Sequence, residues 1–173
     1  IGKTAAEVAA MELGPNAHDH TDTPAVEELK STCTISVTAF LNALTKAYDN
    51  ATTEYTGYAK AGLGMVTNMS GTDAEDEDPA KTQADVTAVA LALDADGKIV
   101  AISIDVVQAK ATVDADGVVT VAEDVKTKLE LGEDYGMRGA SALGKEWYEH
   151  SEGYCSYLKG KTEKEVADIP ADG

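Results

Sequence analysis

The chain is expected to fold as an α+β domain in which an antiparallel β-meander is packed with helices, and three observations carry that expectation. Helical periodicity is confined to segments near the two ends, alternating apolar residues fill the middle, and the strand-helix-strand alternation of a parallel sheet is absent. One domain is expected, because 173 residues of which 43% are hydrophobic bury one sizeable core and not two ordinary ones.

The first helix signal lies at the amino end, where Thr4 followed by Glu7 reads as a capping box. Residues 12–30 read as loop, broken by Gly14-Pro15-Asn16 and Thr23-Pro24. Ser36 is the expected N-cap of a helix in which Phe40, Leu41, Leu44, Ala47 and Tyr48 form one apolar stripe at period 3.6. Asp49-Asn50-Ala51 ends that helix, and residues 54–60, with Tyr55 and Tyr58, read as a strand. Residues 70–83 read as an acidic surface loop.

The clearest β signal follows. Val86, Ala88, Ala90 and Ala92 alternate with Thr87, Val89, Leu91 and Leu93; Asp96-Gly97 makes a tight turn, and residues 99–107 return as a second strand. A third segment at Thr112-Val113 leads through Asp116-Gly117 to residues 118–121, completing a meander. Trp147, Ser151, Tyr154 and Leu158 then lie along one face of a helix, with Ser141 as its candidate cap and Trp147 in the core.

A net charge of −17 and a pI near 4.3 argue against nucleic acid as a partner, since that binding rests on Lys and Arg neutralising phosphates. No run of eighteen apolar residues occurs, so no membrane insertion is expected. A first residue other than Met is expected of a processed, proteolysed or trimmed chain and is compatible with export. Cys33 and Cys155 lie far apart in no CxxC pattern, which indicates neither a disulfide framework nor a zinc site. Cys33 reads as a small buried side chain. His18-Asp19-His20 with Asp22, and the run from Asp73 to Asp78, read as solvated loops rather than metal sites. The Asp-Ala-Asp-Gly segments at 94–97 and 114–117 read as hairpin turns.

The two ends repeat each other. Ile1-Gly2-Lys3-Thr4-Ala5-Ala6-Glu7-Val8-Ala9 aligns with Lys159-Gly160-Lys161-Thr162-Glu163-Lys164-Glu165-Val166-Ala167, which implies a unit of about 158 residues, the spacing from Ile1 to Lys159.

Residues 31–44, Ser-Thr-Cys-Thr-Ile-Ser running into the amphipathic helix with Ala39 and Ala43 on register, resemble the signature of the FMN-binding domain family. That family includes flavin-carrying subunits of sodium-pumping NADH:quinone oxidoreductases and of Rnf complexes, and surface flavoproteins of Gram-positive bacteria. Its pattern is Ser-Gly-Ala-Thr, a variable residue, then Thr or Ser; Ser31, Thr34 and Ser36 match, and Thr32 and Cys33 replace the Gly and Ala. Hydroxyls and free N–H groups at a helix N-terminus favour a phosphate. The resemblance implies FMN as cofactor, with Ser31, Thr32, Thr34 and Ser36 around its phosphate and Thr34 as the position esterified in members that carry flavin covalently. The stretch 55–62, Tyr-Thr-Gly-Tyr-Ala-Lys-Ala-Gly, and the hairpin through Asp96-Gly97-Lys98-Ile99 resemble the opening of the same family. Met137, Arg138 and Ser141, in a Gly-rich segment before the last helix, are further candidate ligand contacts, because Arg pairs with anions.

In the family the hairpin precedes the hydroxyl motif, whereas here the motif comes first. The end repeat accounts for the inversion. Residues 1–50 read as the tail of one repeat unit and 51–173 as the head of the next, together one domain in permuted or tandem-repeat order. Either the tail folds back on its own head or it completes a neighbouring chain, and the second arrangement is head-to-tail self-association. The expected function is an extracytoplasmic FMN-binding electron-transfer domain, extracellular or at the cell surface, with a redox partner of unspecified kind. The alternative is a flavin-free structural repeat or filament-forming surface subunit. An electron carrier or structural module is favoured over a substrate-turning enzyme, since no Ser-His-Asp or paired-carboxylate arrangement stands out.

Overall fold

The structure, a computed structural model, describes residues 2–15, 20–29, 31–51, 56–75, 78–123 and 125–170. His18, Asp19, Tyr55 and part of the acidic run at 73–78 lie outside the described residues. The chain has the expected α+β composition, helices with antiparallel sheets. It divides into two compact units, Ile1–Glu54 and Tyr55–Gly173.

The first unit begins with α1, Ala5–Ala9, whose capping box is formed as expected: the Thr4 hydroxyl accepts from Glu7 N–H, and the Glu7 carboxylate accepts from Thr4 N–H at 2.7 Å. A short ladder of β1, Leu13–Gly14, and β2, Thr23–Pro24, lies inside the segment read as loop. Buried Thr23 donates its hydroxyl to the Gly14 carbonyl at 2.7 Å, closing that ladder with a side chain. The amphipathic helix is α2, Thr38–Asn50. Its apolar stripe is not a core, however: Phe40 is 57% exposed, and Leu44 and Tyr48 are also exposed.

The second unit is built on a four-stranded antiparallel meander in sequence order, β3 Lys60–Thr72, β4 Ala80–Leu93, β5 Ile99–Val113 and β6 Val119–Val121. Its strands are longer than the alternation suggested. β3 starts only at Lys60, because Gly57 takes a φ of +83° that breaks extension, so residues 56–59 are not strand. At its far end β3 pairs through Thr72↔Lys81, so residues 70–72 and 80–83, half of the expected 70–83 loop, are strand. The segments at 99–107 and 112–113 are one strand. Both Asp-Gly turns close in the same way: the Asp94 carboxylate accepts from Asp96 and Lys98 N–H, and that of Asp114 from Asp116 and Val118 N–H, all at 2.9–3.0 Å. Gly97 and Gly117 take the left-handed φ the turns require, +78° and +80°.

Against β5 pack α3, Lys128–Leu131, and α4, Trp147–Leu158. The inward face of α4 runs through Ser151, whose hydroxyl donates to the Ile104 carbonyl at 3.1 Å, to Cys155 and Leu158, which are buried with Ile99 and Ala101. Trp147 is half-buried, and Cys155 takes the place expected for Tyr154, which is exposed. The cap of α4 is Glu146, not Ser141. Cys33 is half-buried rather than buried.

The last element, α5 Glu163–Ala167, reproduces α1. The Glu165 carboxylate accepts from Thr162 N–H at 2.8 Å, as Glu7 does from Thr4, and Gly160 has φ +81° where Gly2 has +79°. In this copy Gly160 and Lys161 also pair with Ile99 through two backbone hydrogen bonds of 2.8 and 3.0 Å, which ties the turn after α4 to the start of β5.

Leu158, the last residue of α4, is 4% exposed. Leu158→Ala is expected to cost about 2–5 kcal/mol of stability, measured by denaturant unfolding. An unchanged midpoint would show that α4 does not hold the sheet.

Candidate functional site

At the start of α2 the chain places an anion of its own. The Asp22 carboxylate accepts hydrogen bonds from the Ser36 hydroxyl first, then from the Thr38 hydroxyl and backbone N–H, and these hold it below the usual carboxylate range. Val37 N–H donates to the Asp22 carbonyl at 3.0 Å, and Ser36 Oγ lies 3.4 Å from His20 Nδ1. The residue preceding α2 is therefore Val37, which lacks a capping side chain, and Asp22 takes the role expected of Ser36. A phosphate binding here competes with Asp22. Ser31, Thr32 and Thr34 are all exposed. Thr32 turns its hydroxyl and its N–H back to the Leu29 carbonyl, at 3.3 and 2.9 Å, and so closes the preceding turn.

The Gly-rich segment of the second unit is arranged in the same way. Met137 and Arg138 present adjacent N–H groups, and both donate to the Glu146 carboxylate, at 2.9 and 2.7 Å. Glu146 is 1% exposed, so this buried acid has its oxygens satisfied by backbone N–H donors. The Arg138 guanidinium contacts Glu133 at 2.6 Å, Glu149 at 2.8 Å and the Gly144 carbonyl at 3.0 Å. Glu133, whose other partner is the Tyr148 hydroxyl at 2.9 Å, sits below the ordinary carboxylate range chiefly through its hydrogen bond from Arg138, and the same bond raises Arg138. Arg138 thus serves as the centre of an ion-pair network. Ser141 Oγ accepts from Leu143 N–H and lies 3.0 Å from His150 Nε2. Among the described residues no carboxylate bonds the other His150 ring nitrogen, so the pair lacks the third member of a nucleophilic triad.

A third locus was not singled out by sequence reading. The register pairs Lys81↔Thr112, Gln83↔Lys110 and Asp85↔Gln108, which puts these six side chains on one face of the sheet. Asp85 accepts from the Gln83 and Gln108 amides at 2.8–2.9 Å, which lowers it, and Gln108 accepts from the Tyr135 hydroxyl at 3.3 Å. Lys128 lies over the rings of Tyr135, at 4.7 Å, and Trp147, at 5.4 Å. A cleft of about 340 Å³ opens beside this group, lined among others by Lys110, Lys126 and Lys128. The sequence signal was the Lys-x-Lys spacing at 126–128, which gains meaning only once β5 brings Lys110 beside it.

Among the described residues no group of three or more His, Cys, Asp or Glu side chains is placed to hold a metal ion. No helix among them is long and apolar enough to cross a membrane.

The chain is 33% identical over 120 residues to a protein named chlorophenol reductase from Desulfitobacterium hafniense, a match covering 62% of this chain and 36% of that protein. It spans little more than a third of that relative's length. No protein-family model matches the chain, and no solved structure matches it.

The Glu133–Arg138 pair makes stability depend on pH with a defined sign. Because the folded state lowers Glu133, its contribution is complete above the ordinary carboxylate value of 4.5 and fades as pH falls through the lowered folded value. The melting-temperature gap between the protein and Glu133→Gln is therefore expected to be constant at neutral pH and to close under acid. A gap that persists unchanged into strong acid contradicts the assignment.

Proposed function

We propose that this chain is part of a redox protein acting outside the cytoplasm, in which it carries FMN as an electron-transfer cofactor. The observation that carries this reading is the similarity over 120 residues to a protein named as a reductase. It is supported by the hydroxyl-rich motif from Ser31 to Ser36 and by the β-meander that accompanies it. The isoalloxazine ring would supply the electron chemistry, and the protein would bind, orient and shield it. Thr34 is exposed, and Asp22 already balances the dipole at the start of α2. A noncovalent phosphate is therefore better served elsewhere on the chain. The test is the visible spectrum of purified protein: flavin absorption, released as FMN on denaturation, is the expected outcome. A colourless preparation that also takes up no added FMN contradicts the reading.

A second reading is favoured by a separate observation. β3 is exposed along its whole length, with Leu63 at 71% and Met69 at 77%, and the stripe of α2 is likewise uncovered. An exposed apolar edge strand is a template for pairing with another chain, which suits a structural repeat or surface subunit that associates head to tail. Under this reading the protein sediments as oligomers at high concentration, whereas a strict monomer speaks against it.

A further inference from the structure

The second unit carries a cleft lined by three lysines. With 31 acidic against 14 basic residues, the chain repels anions over most of its area. Yet three lysines converge on one cleft of about 340 Å³, opposed among its described lining residues by a single carboxylate, Asp134. Lys110 also lines an adjoining cleft of about 310 Å³ that holds Lys81 and the hydroxyl residues Ser70 and Thr112. Lys110 and Lys126 make no salt bridge among the described residues, although acidic side chains are abundant in the chain. The nearby carboxylate on the sheet face, Asp85, accepts from the Gln83 and Gln108 amides and also feels the charges of Lys128 and Lys110, so it offsets part of the cleft's positive field without a salt bridge to either lysine among the described residues.

Held charge is what an anion site needs, and two devices provide it here. Lys128 is seated over the Tyr135 and Trp147 rings, which fixes its ammonium against the cleft wall. Lys110 stands near the open end of the β4–β5 hairpin, directly paired with Gln83 and next to the residues 111–113 that β6 pairs with. At the start of α2 and at residues 137–138 the N–H groups that would attract an anion are already bonded to Asp22 and Glu146, whereas Lys110 and Lys126 make no salt bridge among the described residues.

We infer that this cleft is a phosphate-binding site, taking the terminal phosphate of a small organic ligand whose body lies against Tyr135. Phosphate suits it better than carboxylate, because lysines act as separate point charges around a compact dianion, whereas planar carboxylates are matched by the fork of Arg. The volume falls at the small end of ligand pockets. The inference deepens the flavin reading, since FMN carries one such phosphate, but it stands on the lysine geometry alone.

Calorimetric titration of the full chain with inorganic phosphate, FMN and riboflavin tests both. Phosphate is expected to bind, and FMN to bind at least about tenfold more tightly than riboflavin, a gap of about 1.4 kcal/mol. Lys110→Glu/Lys126→Glu should abolish phosphate binding and erase the FMN preference, with Lys164→Glu, a lysine paired with Asp168 on α5, behaving as the unaltered chain. Should the double variant lose its circular-dichroism spectrum, the milder Lys126→Gln gives the same reading through a partial loss of affinity. Phosphate binding that depends on these lysines, with no flavin bound, upholds the cleft and removes the flavin reading. FMN bound equally well by the double variant overturns the cleft and leaves the flavin reading intact, and no phosphate binding at all also overturns it.

Discussion

Backbone N–H groups left over at turns and helix starts are satisfied in this protein by its own carboxylates, and that constraint shapes both the fold and the places where a ligand is able to bind. Glu7, Glu130, Glu149 and Glu165 close four capping boxes among the described residues; Asp94 and Asp114 close the two hairpin turns; Asp22 serves α2, and Glu146 serves the segment at 137–138. Each bond is charge-assisted and so stronger than a neutral one. The acidity of the chain is therefore partly structural, and it pre-fills sites that an external anion would otherwise occupy.

The sheet of the second unit supplies rigidity. β4 and β5 are paired along nearly their whole length, and α4 buries Cys155 and Leu158 against the start of β5, where Gly160 and Lys161 add two backbone bonds. Because α1 and α5 share sequence, cap geometry and glycine conformation, the internal repeat is a repeat of local structure as well as of residues. Local sequence dictates that motif, since a capping box needs only Thr and Glu three apart and a Gly that tolerates positive φ.

Much of the fold was legible for the same reason. The Asp-Gly turns, the alternation at 86–93 and the stripe of α2 are local patterns, and each produced its element. What escaped was decided by distant partners. β3 carries Gly62, Gly64 and mixed polar residues that do not alternate, and it is strand because β4 offers it a ladder. Ser36 looked like a cap, but Asp22, far back in the chain, reaches that position first. Arg138 looked like an anion contact, and two glutamates from either side of it in sequence claim its guanidinium. The lysine cleft was illegible because its members come from β5, the β6–α3 connection and α3.

The protein is an acidic scaffold whose own carboxylates take up the N–H groups at the start of α2 and at residues 137–138, and the anion site proposed for it is the lysine cleft beside Tyr135. Electrostatic binding of this kind weakens as salt screens the charges, over a distance of about 10 Å at 0.1 M. The most direct test is the affinity for FMN measured across a series of salt concentrations, with riboflavin as the uncharged comparison. FMN affinity is expected to fall steadily with salt toward that of riboflavin, which itself stays level; an FMN affinity indifferent to salt, or one never above that of riboflavin, rules out the lysine cleft as the seat of the FMN phosphate.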